Sequence, residues 1–231
     1  MIYSTKTSQN YWIYEGNIMD EYEKNETIKR YNERLEMYGD DPRSLGWLNG
    51  RQHIRFKVLS EIADLNNCTI LDLGCGFGDL CGFLKRNYKV DYTGYDINNN
   101  LLEIAKKKYP DARFDVKDIL MGQIIEKFDY IISSGVFNFR LSDNTSFTKK
   151  MLKKMFEMCD KGVAVDFITD YVDYRNEDLH YTNPEDMFSF CKTLSKRVTI
   201  RNDYMPFEFC VYIYKNDSIT VNNVFAGFKH E

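Results

Sequence analysis

Asp72 is followed at alternate positions by three glycines, Gly74, Gly76 and Gly78, with Cys75 between the first two. Residues without a Cβ let the chain turn sharply and let a ligand meet bare backbone. A helix starting just after such a turn aims amide N–H groups at its occupant, which suits a carboxylate or a phosphate. The spacing is that of a cofactor loop, and it is G-x-G-x-G rather than the G-x-G-x-x-G of dinucleotide sites. A further acid, Asp96, falls about twenty residues beyond the glycines, where a carboxylate can accept hydrogen bonds from ribose hydroxyls. A helix cap is the other use for such an acid, but Asn98-Asn99-Asn100 can cap the next helix unaided, so ribose is favoured. The polar, aromatic stretch 170–181 holds the side chains suited to proton transfer. His180 leads as a general base because histidine titrates near neutrality, with Tyr171, Tyr181 and Asp170 as alternates. A loop histidine can equally be structural, and an amine or carboxylate acceptor needs no base.

These residues need a frame of alternating strands and helices. Thr69–Leu73 reads as a buried strand that feeds the glycine turn and a short helix over 80–86. Asp91–Asp96 is rich in β-formers and ends in the acid just described. A helix over 101–108 stops at Pro110, and 112–115 is a third strand. Phe128-Asp129-Tyr130-Ile131-Ile132-Ser133 is a fourth strand leading into Ser134-Gly135. A helix over 144–160 carries Phe147, Met151, Leu152, Met155 and Phe156 at core spacing, and Lys161-Gly162 is expected to separate it from a fifth strand over 163–168. Pro184 opens another helix, 185–194. The segments 197–201 and 207–214 alternate as two strands around Met205-Pro206. Ahead of this core, an aromatic cluster over 10–14 precedes helices expected at 19–38 and 51–63.

At this level the residues carry a family likeness. Leu71-Asp72-Leu73-Gly74-Cys75-Gly76-Phe77-Gly78 resembles motif I of the class I S-adenosylmethionine (SAM) methyltransferases. The resemblance implies a Rossmann-like α/β fold with a seven-stranded, mostly parallel sheet, a C-terminal antiparallel hairpin and an N-terminal helical lid. It further implies SAM as cofactor and S-adenosylhomocysteine (SAH) as product. In that family the glycine turn wraps the methionine part of SAM, with the acid, here Asp72, near its amino group. Asp96 with Ile97 would hold the ribose, and Asp118 with Ile119 would meet the adenine amine and cover the ring. Gln52 and Arg55 could reach the cofactor carboxylate, and Trp47, Tyr11 or Tyr14 could close the pocket. The stretch around Ser134 and Gly135 resembles motif IV but has neither the [DN]-P-P-[FYW] of base-amine methylation nor the Pro-Cys of C5 methylation. Asp41-Pro42-Arg43-Ser44-Leu45-Gly46-Trp47 and Asp203-Tyr204-Met205-Pro206-Phe207-Glu208-Phe209 are similar to methyltransferases of bacterial surface-polysaccharide clusters. That likeness implies O-methylation of a sugar, nucleotide-sugar or phosphoramidate-type precursor. A SAM-binding module without catalysis is the alternative, as is methylation of an amine or carboxylate on another metabolite.

Bulk properties agree. The 231 residues suit one domain, with a lid segment over 1–64, a core over 66–214 and a tail over 215–231. The net charge of −4 argues against a surface built for phosphate backbones, so a small molecule rather than nucleic acid is the expected partner. No membrane span or signal sequence is evident, and the six scattered cysteines match neither a disulfide framework nor zinc spacing, so no metal is expected. A reducing cytoplasm is the expected compartment. Oligomeric state is not legible.

Overall fold

The computed structural model describes residues 21–47, 50–122 and 125–216. The expectations for Tyr11, Tyr14 and nearly all of the tail fall outside these residues. Seven strands form one sheet in the order β3-β2-β1-β4-β5-β7-β6. The strands are β1 Thr69–Leu73, β2 Asp91–Asp96, β3 Arg113–Val116, β4 Phe128–Ser133, β5 Cys159–Ile168, β6 Val198–Arg201 and β7 Glu208–Tyr214. β1 to β5 run parallel, while β7 pairs antiparallel with both β5 and β6. The order reverses between β1 and β4, and this switch point is where α/β sheets open a crevice beyond the strand C-termini.

Alternation along the strands splits the core in two. In β7, Cys210, Tyr212 and Tyr214 face one layer, and Phe209, Val211 and Ile213 face the other. Helices α2 (Gln52–Ser60), α3 (Asp79–Asn87) and α4 (Asn99–Lys108) cover the first face; α5 (Asn144–Met158) and α6 (Pro184–Leu194) cover the second. Local chemistry starts these helices where the sequence suggests. The Asn98 side chain accepts from the amides of Asn100 and Leu101, and Asn183 accepts from Asp186 with Pro184 in the first turn. Asn98 thus does the capping that Asp96 is spared.

One boundary differs clearly from expectation. Lys161-Gly162 does not break the chain: β5 already begins at Cys159, because Gly162 is laddered to Tyr130 on one side and Tyr214 on the other. The helix α1 (Glu21–Tyr38) buries no residue. It lies over the sheet's C-terminal edge and is followed by a 3-10 turn, Pro42–Leu45.

Candidate active site

A single cleft of about 1030 Å³ runs over the C-terminal ends of β1, β2 and β4, roofed by α1. Its floor is the glycine turn. Gly74 has φ +74°, and a Cβ there would sit 2.2 Å from Val136 Cγ2, so both backbone twist and close approach require glycine. Asp72 lies beneath, 3% exposed, and accepts a hydrogen bond from the Tyr92 hydroxyl at 2.6 Å. Burial pushes its carboxyl up to about 7, with Asp96 and Asp79 adding in the same direction and Tyr92 opposing.

Asp96, at the tip of β2, accepts from the Gly76 amide at 2.9 Å on one oxygen and from the Asn98 amide at 2.8 Å on the other. Burial raises its carboxyl despite those bonds. Further along, Asp118 accepts from the Leu120 amide and pairs with Lys24 of α1 at 3.1 Å, beside the buried Ile119. Asp72, Gly74, Cys75 and Gly76, then Asp96 with Ile97, then Asp118 with Ile119 all line this one cleft, whereas Gly78 does not and faces Phe114 and Tyr109 instead. Bare backbone, a ribose-competent acid and an amine-competent acid beside an apolar residue fit an aminoacyl nucleoside. The residues present fit SAM.

Beyond β4 the chain is shaped by Asp166 of β5, a buried acid that accepts from the Ser134 hydroxyl at 2.6 Å and the Gly135 amide at 2.7 Å. Gly135, with φ +81°, leaves room for the Trp47 ring, which a Cβ would meet at 2.8 Å. Trp47 in turn covers the Arg55 guanidinium, 4.3 Å from the ring centroid. Arg55 is not a free cation: its Nε and Nη2 donate to both oxygens of Glu208 in a buried ion pair. Burial raises the Glu208 carboxyl and the Arg55 bond opposes it. The fork expected to reach for a cofactor carboxylate is therefore spent on β7, whereas Gln52 lines the cleft with no such tie.

Another part of the cleft is walled by the loop after β5, where Tyr171, Tyr174, Asn176 and Tyr181 line it. His180 and Asp170 do not line it. They face a second cavity between α5 and α6, with Thr148 and Arg175, because the His180 amide is bonded to Asn138 O and Asp170 is turned toward Asn183. Burial, with Arg140 adding in the same direction, lowers the His180 pKa. Tyr171 donates to Glu185 at 2.7 Å, which raises its phenol, and Tyr181 accepts from the Asn176 amide.

A sequence profile described as "Methyltransferase domain" matches residues 70–162, from β1 into β5. Rv1506c of Mycobacterium tuberculosis, a protein assigned as a methyltransferase, is 31% identical over 155 residues, covering 64% of this chain and 93% of that protein. The chain belongs to the class I SAM-dependent methyltransferase family. The fold of this methyltransferase matches magnesium protoporphyrin IX methyltransferase from Synechocystis PCC 6803 with bound SAH, at TM-score 0.61, 15% identity and coverage of 84% and 99% of the two chains. It is also 30% identical over 118 residues to ribosomal RNA small subunit methyltransferase A of Mesomycoplasma hyopneumoniae, spanning 47% of this chain and 45% of that one.

Several residues of the methyltransferase site were not anticipated. Glu208 and Asp166 carried a signal, since each is an acid in a stretch of strand buried on both faces. Tyr31, Arg30 and Arg34 of α1 carried none, because only the tertiary placement of α1 brings them to the cleft.

Proposed function

We propose that this methyltransferase holds SAM along the wall from Asp72 to Asp118 and methylates an oxygen of a small polar acceptor at the Tyr171–Tyr181 end. A sugar, nucleotide-sugar or phosphoramidate-type molecule is the class proposed. The observation that carries the reading is continuity: one cleft joins the glycine turn to the tyrosine-rich loop. Exposed rings of Tyr171 and Tyr174 beside Asn176 and Asp173 suit a small ring bearing hydroxyls. SAM supplies a methyl group already activated on a sulfonium. The chain's task is then alignment and exclusion of water, and positioning of this kind can supply roughly 7–11 kcal/mol. Asp166 serves it by fixing the Ser134-Gly135 turn, and Trp47 by closing over that turn.

Calorimetry with SAH tests the donor half; absence of saturable binding would refute it. The acceptor half is tested by transfer from labelled SAM to nucleotide sugars, phosphoramidate metabolites and, given the ribosomal RNA relative, an RNA oligonucleotide. Label found on RNA alone would overturn the small-molecule assignment.

A further inference from the structure

The cavity between α5 and α6 has no part in the chemistry described so far. It encloses about 650 Å³, within the range of about 300–1,000 Å³ typical of small-molecule sites and far more than one water needs. Three buried side-chain polar atoms among the described residues have no hydrogen-bond partner in the protein. Two of them, Thr148 Oγ1 and Asp170 Oδ1, belong to residues that wall this cavity.

Neither atom has an outlet close by. Asp170 is held in place: its amide donates to Thr182 O, its carbonyl accepts from Arg175, and its Oδ2 accepts from the Asn183 side-chain amide at 3.1 Å. Oδ1 is thereby fixed and still unpaired. Thr148, 2% exposed within α5, makes no bond back to a carbonyl of its own helix, the usual recourse of a helical threonine. A buried polar group without a partner is unfavourable by about 1–3 kcal/mol, so a ligand that bonds both atoms is favoured.

Charge decides the class of ligand. The walls carry two cations, Lys149 and Arg175, and two carboxylates, Asp170 and Asp186, while burial lowers the pKa of His180 and leaves it without charge at pH 8. With no net charge to draw an ion, and with Thr145, Thr182, Asn183 and Ser189 adding neutral polar groups, the walls match a neutral polyol. Its hydroxyls can donate to a carboxylate and bond a threonine hydroxyl in either direction. Tyr181 and Phe190 add apolar surface for the C–H groups of such a molecule.

We propose that the cavity between α5 and α6 is a second binding site, for a neutral polyhydroxyl molecule such as a monosaccharide, anchored by Thr148 and Asp170. The loop 170–182 contributes to the walls of both this cavity and the cleft, and Tyr181 lines both, but the proposal does not depend on SAM. The full chain at pH 8 is titrated calorimetrically with glucose, galactose and myo-inositol, and with phosphate and ethylammonium as charged probes. Saturable binding of at least one polyol is expected, weakened about tenfold in Thr148→Val and in Asp170→Asn. Binding should be unchanged in Tyr174→Ala, which alters the cleft alone. Thr148→Val keeps the side chain's shape and removes only an unpaired hydroxyl, so circular dichroism should stay native, and Asp170→Asn probes the same site independently. No saturable polyol binding up to tens of millimolar leaves the cavity to solvent and overturns the proposal, as does full binding in both variants. Saturation by phosphate or ethylammonium but by no polyol overturns it too. Binding lost in Tyr174→Ala and kept in Thr148→Val assigns the polyol to the cleft and overturns the second site.

Discussion

Lowering the pH from about 8 to about 6 is expected to weaken SAH binding about tenfold, through Asp72. Its carboxyl titrates at about 7 in the free protein because burial strips it of water and the Tyr92 hydroxyl only partly compensates. A ligand ammonium placed near it needs the charged form and draws the pKa back toward the ordinary range. The free protein at pH 6 is then about nine-tenths protonated at this position, and that proton must leave before the ligand is held. The cost is about 1.4 kcal/mol relative to pH 8. Calorimetry in buffers of differing ionisation enthalpy should therefore report about 0.9 proton released per SAH near pH 6 and about 0.1 near pH 8. Asp96 is also raised by burial, so Asp72→Asn provides the control. Binding without proton release, or release undiminished in Asp72→Asn, would refute the reasoning.

Asp96→Ala leaves the amides of Gly76 and Asn98 without their acceptor, at about 1–3 kcal/mol each. Urea denaturation should show that loss and calorimetry at least a tenfold weaker SAH; intact SAH binding would remove the ribose role. Gly74→Ala strains a left-handed backbone by about 1–2 kcal/mol before Val136 is displaced, so SAH binding should vanish while circular dichroism stays native. Arg55→Leu strands a buried carboxylate and should cost about 3–5 kcal/mol, whereas Arg55→Leu with Glu208→Leu should recover much of it in the same denaturation assay. His180→Ala should methylate an identified acceptor at the wild-type rate, and a fall in kcat with an altered pH profile would return the histidine to the chemistry.

The glycine turn and the succession of strands were legible because their requirements are local. A turn at positive φ needs glycine, and an acid closing a strand is visible in the order of residues, so Gly74, Asp96 and the whole succession of strands could be read directly. The acceptor half depends on which way a loop faces. His180 has the right chemistry and the right neighbourhood in sequence, but one backbone bond to Asn138 turns it toward α5 and α6. Arg55 had the right charge and position, and only the pairing of β5 with β7 reveals Glu208 as its occupant. Charges inside strands were the overlooked sign, since an acid in the middle of a buried ladder must have a partner.

The roof helix has a consequence of its own. α1 contributes nothing to the apolar interior; Lys24 fastens it to Asp118, Asn32 to Asn98 and Asn100, and Arg30 to Asp178. Such surface fastenings are worth about 1 kcal/mol or less apiece, and water replaces them readily. The helix is latched rather than glued, with one latch on the adenine side and another on the acceptor loop. One helix thus covers both ends of the cleft, and dissolved salt screens the charges that hold it there.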